Sequence, residues 1–125
     1  MKDFVEKKDI IIHLAGIIET KNVSDFYKIN TLGTLNLLEA ISRYAKKSVH
    51  FIFPSSFAVY QETTQKTLLT EETSTVPRND YGLSKLLAEE IIKTYSQTKK
   101  IKTTILRLAN VYGPGMNSFS TSVTA

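Results

Sequence analysis

Three short apolar segments of the chain have the pattern of strands in a parallel sheet. They are residues 9–15 (DIIIHLA), 49–53 (VHFIF) and 103–108 (TTILRL), and all three are rich in β-branched or aromatic side chains. Apolar runs of this length are typical of strands that are covered on both faces, as in parallel sheets. The pattern therefore predicts three buried strands.

Two amphipathic segments separate these strands. The first runs from Ser24, the predicted N-cap, to about Ala45, and its predicted core face is formed by Phe26, Ile29, Leu32, Leu37, Leu38 and Ile41. The second begins at Asn79 or Asp80 and continues to about Thr98, and its predicted core face is formed by Leu83, Leu86, Leu87, Ile91 and Ile92. The alternation predicts the βαβαβ order of an α/β fold with a parallel sheet.

The ends of the predicted strands are the expected place for a site, because ligands of open parallel sheets bind beyond the carboxyl ends of the strands. The segments that follow the strands are HLAG (13–16), PSSFAVY (54–60) and LANVYGPG (108–115). Residues 54–79 are polar and irregular, and a loop of that length in a small domain is more often functional than idle. His13, inside an apolar strand, is expected to pack in the core.

A tyrosine precedes a lysine by four residues at two places in the second predicted helix. Tyr81 and Lys85 lie at its start in PRNDYGLSK, and Tyr95 and Lys99 lie near its end. Residues four apart share a helical face. Tyr95 is 14 residues beyond Tyr81, about 21 Å along a helix, so only the first pair can reach the strand ends.

The first pair has the chemistry of a proton-transfer site. A lysine ammonium beside a phenol favours the phenolate, which suits an acid/base group. A hydroxyl from Ser55 or Ser56, in the loop after the second strand, could hydrogen-bond the same substrate oxygen. These groups suit removal of a proton from an alcohol coupled to hydride loss to a nicotinamide.

Composition narrows the classes of function. The chain has no cysteine and two isolated histidines, which argues against disulfides, thiolate zinc sites and a histidine metal cluster. The net charge of +4 comes from scattered lysines, which indicates a solvated surface and no nucleic-acid partner. No apolar stretch has the length of a membrane span, and MKDFVEKKD lacks the apolar run of a leader, so we expect a cytoplasmic location.

Five ordered motifs of the chain resemble the extended short-chain dehydrogenase/reductases, in particular the NAD-dependent epimerase/dehydratase group. They are IIHLAG, NTLGT, FIFPSSFAVY, YGLSK followed by LLAEE, and LRLANVYGPG, between about Asp9 and Gly115. Ser56 precedes Tyr81 by 25 residues (81 − 56), an interval typical of that family. The resemblance covers nearly the whole chain.

The resemblance implies a role for each site residue. Tyr81 is expected to be the catalytic acid/base, Lys85 its electrostatic helper and a ligand of the cofactor ribose, and Ser56 the residue that orients the substrate hydroxyl. Asn110 occupies a position where nucleotide-sugar epimerases contact substrate, although asparagine is also favoured there as a turn residue. The implied cofactor is NAD, with NADP left open, and its remaining contacts are Leu14, Ala15, Gly16, Asn30, Ser55 and Ala109.

Part of the family pattern is missing from the chain. The glycine-rich GxxGxxG turn, which brings backbone N–H groups against the pyrophosphate, is absent. The sequence also stops soon after GPG, where the family continues into a substrate lobe. We therefore expect residues 1–125 to be the C-terminal half of a Rossmann-like cofactor domain, inactive alone. We also expect marginal stability and self-association, because the 9–15 strand would expose an edge and apolar surface on both faces.

The leading functional hypothesis is nucleotide-sugar epimerase or dehydratase chemistry, with a nucleotide sugar as substrate and a homodimer formed through the two long helices, as is common in the family. Phe57 and Ala58 fill positions where dehydratases often carry an Asp-Glu pair, which favours an epimerase or reductase. Two alternatives remain: a non-catalytic remnant or interaction module that keeps the motifs, and an NADP-dependent carbonyl reductase of the same fold.

Overall fold

Three parallel strands form one sheet in the computed structural model, which describes residues 1–60, 68–99 and 101–110. The strands are β1 (Ile10–Ile12), β2 (His50–Ser56) and β3 (Lys102–Leu108), in the order β1-β2-β3. Both strand pairs are parallel, and their register aligns Ile11 with Phe51 and Phe51 with Thr103. The predicted α/β class and the βαβαβ order are confirmed.

The helical elements lie mainly between the strands. They are α1 (Lys2–Val5), α2 (Val23–Asp25), a π-helical segment (Phe26–Leu32), α3 (Gly33–Tyr44), a 3-10 turn (Phe57–Val59) and α4 (Asp80–Lys99). Residues 23–44 are helical without a break, which matches the first predicted helix. The short α1 was not predicted, because four residues cannot show a helical period.

The structure corrects one of the predicted helix starts. Ser24 is not an N-cap: the helix begins at Val23, and the capping position is occupied by Asn22, whose side chain makes no capping hydrogen bond. At the second helix, Asn79 is the capping residue of the two candidates. Its Oδ1 accepts a hydrogen bond from the backbone N–H of Gly82 at 2.7 Å.

Strand β2 continues through Pro54 to Ser56, although the long loop was predicted to begin at Pro54. In a parallel strand, the backbone N–H groups of every second residue point to the same neighbouring strand. In β2 the N–H of His50 points towards the β1 side, and so does every second position after it. A proline has no N–H to donate on this side, so the pairing with the β1 segment ends with the bond from the His13 N–H to the Ile52 carbonyl at 2.9 Å. The pairing with β3, on the other edge of β2, continues to Ser56.

The hydrophobic core lies on one face of the sheet, under α3 and α4. Ile11, Phe51 and Phe53 point into it and meet Leu38 and Ile92, which are fully buried. On the opposite face several apolar side chains are exposed: Ile10, Ile12, Leu14, Leu106 and Leu108. The expectation of exposed apolar surface on both faces of the first strand is therefore wrong for the described residues, because the helices cover one face.

The buried face of α4 differs from the predicted one. Of the five apolar residues expected in the core, Ile92 is buried, whereas Leu83 and Leu87 are exposed. The buried positions are Gly82, Ser84, Lys85, Ala88, Glu89 and Ile92. Small residues let the helix approach closely: a Cβ at Gly82 would lie 2.2 Å from the Ala58 carbonyl oxygen.

The first helical region also departs from the predicted face. Ile29 and Leu32 are exposed, whereas Leu37, Leu38 and Ile41 are buried as expected. The two exposed residues lie in the π-helical segment. Because a π turn contains more residues than an α turn, it shifts the face that a uniform 3.6-residue period predicts. In the part of the chain that the structure describes, no helix is both long and apolar enough to cross a membrane.

Candidate active site

A cleft of about 570 Å³ opens at the carboxyl ends of the three strands. Nine of the ten predicted site residues line it, namely Leu14, Gly16, Asn30, Ser55, Ser56, Tyr81, Lys85, Ala109 and Asn110. Ala15 does not line it, although it lies between two residues that do. The structure therefore brings together side chains that are separated by up to 96 residues (110 − 14) in the sequence.

Lys85 is held in the wall of this cleft. Its Nζ donates a hydrogen bond to the Pro54 carbonyl oxygen at 2.7 Å and lies 4.0 Å from the centre of the Phe53 ring. The residue is only 7% exposed. Burial lowers the pKa of the ammonium to about 8, although the Glu89 carboxylate acts in the opposite direction. Lys85 is therefore mainly protonated at neutral pH and can lose its proton in mildly basic solution.

Tyr81 lies one turn before Lys85, in the first turn of α4, and is half-buried. Its ring packs against that of Phe26, with 6.0 Å between the ring centres. Gly82 allows this end of the helix to approach the 3-10 turn that follows β2. As a result of this close approach, Tyr81 and Lys85 line the same cleft as the two serines at the end of β2.

The two serines have different partners, because successive residues of a strand point to opposite faces. Ser55 is buried on the helix side, and its hydroxyl donates to Glu89 Oε1 at 2.5 Å. Ser56 is half-buried, and its Oγ accepts a hydrogen bond from the Ala58 backbone N–H at 3.2 Å. A hydroxyl that accepts one bond keeps its own proton to donate. Ser56 is thus the serine whose hydroxyl suits a substrate contact.

Asn30 supports the wall of the cleft formed by the segment after β1. Its Oδ1 accepts from the Ile17 backbone N–H at 2.9 Å, and its Nδ2 donates to the Ile17 carbonyl at 3.0 Å and to Ser84 Oγ at 3.0 Å. A Cβ at Gly16 would lie 3.1 Å from Asn30 Oδ1. The fully engaged amide therefore fixes the loop in place, and the glycine lets the loop pass close to it.

His13 is a core residue, as predicted. It is buried, its Nε2 is 3.1 Å from Thr34 Oγ1, and its ring packs between Phe51 and Phe53. Burial lowers the pKa of the imidazole, and the positive charge of Lys85 lowers it further. These contacts favour a neutral histidine that packs in the core next to the cleft.

An ion pair next to the site, formed by the buried Glu89 and the partly buried Arg107, was not predicted from the sequence. Glu89 is fully buried, and Arg107 Nη2 lies 2.8 Å from its Oε2. The bond to the carboxylate raises the pKa of the guanidinium. A signal was present: Glu89 follows Lys85 by four residues, as Lys85 follows Tyr81, so all three share one helical face.

The second tyrosine–lysine pair lies outside the cleft. Tyr95 donates a short hydrogen bond to the Glu39 carboxylate on α3, and this bond raises the pKa of the phenol. Lys99 is exposed at the end of α4. The prediction that only the first pair reaches the strand ends is confirmed.

Comparison with known proteins places this arrangement in a family. The model of the NAD-dependent epimerase/dehydratase family matches residues 1–125. Among curated proteins, the chain is similar to a UDP-glucose 4-epimerase of Mycoplasma genitalium, with 36% identity over 112 residues. That alignment covers 84% of this chain and 32% of the relative.

Two solved structures show the same fold in their matching parts. One is a UDP-glucuronic acid 4-epimerase from Bacillus cereus in complex with NAD, with a TM-score of 0.75 and 31% identity over 85% of this chain and 34% of that protein. The other is RMD from Pseudomonas aeruginosa complexed with NADPH, with a TM-score of 0.79 and 35% identity over 87% of this chain and 39% of that protein. The chain thus spans about a third of the length of the relatives it matches.

Proposed function

Because the chain belongs to the NAD-dependent epimerase/dehydratase family, we propose that its cleft takes the nicotinamide end of NAD and that Tyr81 exchanges a proton with a hydroxyl of a nucleotide sugar. The observation that carries this proposal is the meeting of Tyr81, Lys85 and Ser56 in one cleft at the strand ends. Similarity to two sugar-nucleotide epimerases supports the substrate class.

The residues that line the cleft fit the ribose and nicotinamide of such a cofactor. Lys85 places an ammonium donor in the wall, and Tyr81 adds a hydroxyl. Leu14, Leu108 and Ala109 contribute apolar surface suited to the face of an aromatic ring. When bound, NAD would supply the hydride acceptor for oxidation of the sugar.

The proton is handled by the side chains of the chain itself. In our proposal the Tyr81 phenolate removes the proton of the sugar hydroxyl, and the buried Lys85 ammonium stabilises that phenolate electrostatically. Ser56 donates its hydroxyl proton to the same substrate oxygen and so fixes its position. Asn110, which also lines the cleft, is proposed to contact the substrate.

The fate of the oxidised sugar separates the reaction classes. An epimerase would restore the hydroxyl with the opposite configuration, whereas a dehydratase would also remove water from the sugar. Phe57 and Ala58 follow Ser56 and carry no carboxylate for removal of water, which favours epimerisation or simple reduction. An NADP-dependent carbonyl reductase is the second candidate, because a similar structure contains NADPH. Turnover of nucleotide sugars compared with reduction of small ketones distinguishes them.

We further propose that residues 1–125 supply the C-terminal half of a cofactor domain and that the protein forms a homodimer through its two long helices. The coverage of about a third of each relative supports the first point. Exposed apolar side chains on these helices support the second: Ile29, Leu32, Leu83 and Leu87. Sedimentation of wild type and of Leu87→Glu tests the dimer, which the charged variant should dissociate. The cytoplasmic location stays a prediction.

Calorimetric titration of NAD and NADP tests the cofactor proposal, with Lys85→Ala and the matched variant Lys99→Ala at the second pair. We expect saturable NAD binding that Lys85→Ala weakens by about tenfold or more, corresponding to about 1.4 kcal/mol. Lys99→Ala should stay within about twofold of wild type, because Lys99 is exposed and remote. Equal affinity in both variants would refute the assigned role of Lys85. A folded sample that binds neither cofactor would favour the non-catalytic alternative.

A further inference from the structure

The proposed mechanism leaves unused a charged pair one helical turn beyond Lys85, in which Glu89 is fully buried and Arg107 is partly buried. Arg107 Nε lies 3.2 Å from both carboxylate oxygens of Glu89, and Nη2 lies 2.8 Å from Oε2. The guanidinium thus donates hydrogen bonds to both carboxylate oxygens. Bidentate pairs of this kind are stronger and more specific in geometry than single bonds. Glu89 has no exposed surface, so its orientation is set by these bonds.

The pair connects several elements around the site. Glu89 Oε1 accepts the hydroxyl of Ser55 at 2.5 Å, which ties α4 to the end of β2. Arg107, on β3, donates from Nη1 to the Tyr60 hydroxyl at 2.7 Å, and that hydroxyl donates to the Thr70 carbonyl at 3.0 Å. One carboxylate therefore links the helix that carries Tyr81 and Lys85 to both neighbouring strands.

The cost of burying this pair indicates that it does more than pack. Taking a carboxylate and a guanidinium out of water is expensive, and apolar residues of similar volume often serve stability as well or better. Apolar residues cannot accept a hydrogen bond from the Ser55 hydroxyl, and they cannot stabilise the charge of a nearby ammonium. Glu89 does both, since its negative charge is the one that opposes the effect of burial on Lys85.

The charged and titratable groups around Lys85 come from its own helix, from β3 and from the end of β1 with the segment that follows it. Tyr81 and Glu89 lie on its own helix, Arg107 lies on β3, His13 lies at the end of β1, and Glu19 follows β1 and lines the same cleft. His13 is held neutral by burial and by the charge of Lys85 itself. The positive charge of Arg107 is bound to Glu89. Of the two carboxylates, Glu19 is exposed to solvent, so Glu89 is the buried one that favours the charged form of Lys85.

We propose that Glu89 is a positioning residue of this site: its carboxylate, held by Arg107 and buried one helical turn beyond Lys85, fixes the Ser55 hydroxyl on the helix side of β2 and balances the charge of the Lys85 ammonium. The inference rests on the proposed function only in that Lys85 serves the cofactor and Tyr81. Loss of the carboxylate should make Lys85 release its proton at lower pH. Binding that depends on the ammonium should then weaken at mildly basic pH.

Titration of Lys85 by NMR tests the inference without any ligand. Lysines are labelled with ¹³C at the ε carbon, and the Lys85 signal is assigned by its loss in Lys85→Arg. We expect Glu89→Gln to lower the Lys85 titration midpoint by about one pH unit. The matched control is Glu90→Gln, because Glu90 is the neighbouring residue, is exposed and pairs with Lys93; its midpoint should equal that of wild type. A wild-type midpoint in Glu89→Gln would overturn the inference.

A double variant covers the case in which Glu89→Gln does not fold, because that change leaves Arg107 buried and unpaired. Glu89→Met with Arg107→Met removes both charges and keeps similar volumes, a replacement that buried pairs often tolerate. The Lys85 midpoint should again fall below that of wild type, since Glu89 acts on Lys85 directly and Arg107 acts through Glu89. A lower melting temperature with an unchanged midpoint would mean a purely structural role and would overturn the inference.

Cofactor binding separates this inference from the proposed function. NAD is titrated into wild type, Glu89→Gln and Glu90→Gln at about pH 7 and about pH 9. We expect the loss of affinity between the two pH values to be about threefold or more larger in Glu89→Gln than in the other two proteins. Equal losses would overturn the role of Glu89 at the cofactor site. Absence of NAD binding in wild type would instead refute the proposed function, while the NMR titration would still decide whether Glu89 sets the charge of Lys85.

Discussion

The two tyrosine–lysine pairs of α4 have the same spacing and opposite surroundings. Tyr81 and Lys85 lie at the start of the helix, where Lys85 is buried against the end of β2. Tyr95 and Lys99 lie at the other end, where Tyr95 bonds to Glu39 and Lys99 is exposed. Spacing along a helix thus decides which residues share a face. Distance from the strand ends decides which elements pack against that face.

The physical reason lies in the path of the chain. A helix that connects parallel strands starts near their carboxyl ends and returns to their amino ends. The 14 residues between the two tyrosines correspond to about 21 Å of helix, most of the length of the sheet. The first pair therefore meets the open strand ends, and the second meets the side of α3.

The largest expected difference between the two pairs is in turnover. Tyr81→Phe should lower turnover of a nucleotide sugar by about 100-fold or more, because it removes the group that exchanges the proton. Tyr95→Phe, the same change at the second pair, should leave turnover within about twofold of wild type. The measurement is a coupled assay of epimer formation from UDP-glucose in the presence of NAD, made with the full-length protein because residues 1–125 are expected to be inactive alone. Comparable losses of turnover in the two variants would show that Tyr81 has no special role in the reaction.

A second difference concerns how closely the start of α4 is packed. Gly82→Ala should lower the free energy of unfolding by about 1–3 kcal/mol, because the new Cβ would overlap the Ala58 carbonyl. Gly33→Ala is the matched control: the nearest atom to its Cβ would be 4.0 Å away, so it should stabilise the protein by up to about 1 kcal/mol. Urea denaturation measures both. A Gly82→Ala variant as stable as Gly33→Ala would contradict the close approach.

A third difference is the pH dependence of stability that comes from Lys85, which is small at any one pH near neutrality. Burial lowers the pKa of this ammonium from 10.5 to about 8 in the folded state. Between these values the unfolded chain binds more protons than the folded one, so the free energy of unfolding rises with pH. Relative to Lys85→Met, wild type should therefore gain up to about 1.4 kcal/mol per pH unit above pH 8.

Urea denaturation of both proteins at several pH values between about 7 and 10 measures this gain. The difference between them should level off towards pH 7, where the lysine is mainly protonated in both the folded and the unfolded state. Lys85→Met itself serves as the control, since it removes this titration and leaves the other groups in place. If the free energies of unfolding of the two proteins differ by the same amount at every pH, Lys85 is not desolvated.

The positions of the strands and of the site were predictable because they depend on local pattern. Apolar runs located all three strands, and parallel order brought nine of the ten predicted site residues to one cleft. The exceptions have specific causes. β2 extends through Pro54 because it stays paired with β3 there, and Ile29 is exposed because a π-helical segment shifts the helical face.

The sequence by itself determined the α/β order, the family and the choice of Tyr81 and Lys85, because these follow from periodicity, spacing and ordered motifs. Only the tertiary structure decided which polar groups are buried. It turned Ser55 towards Glu89 and paired Glu89 with Arg107, 18 residues apart in sequence. Periodicity shows which residues share a face, but the elements packed against that face determine its burial, and those contacts form only when the chain has folded.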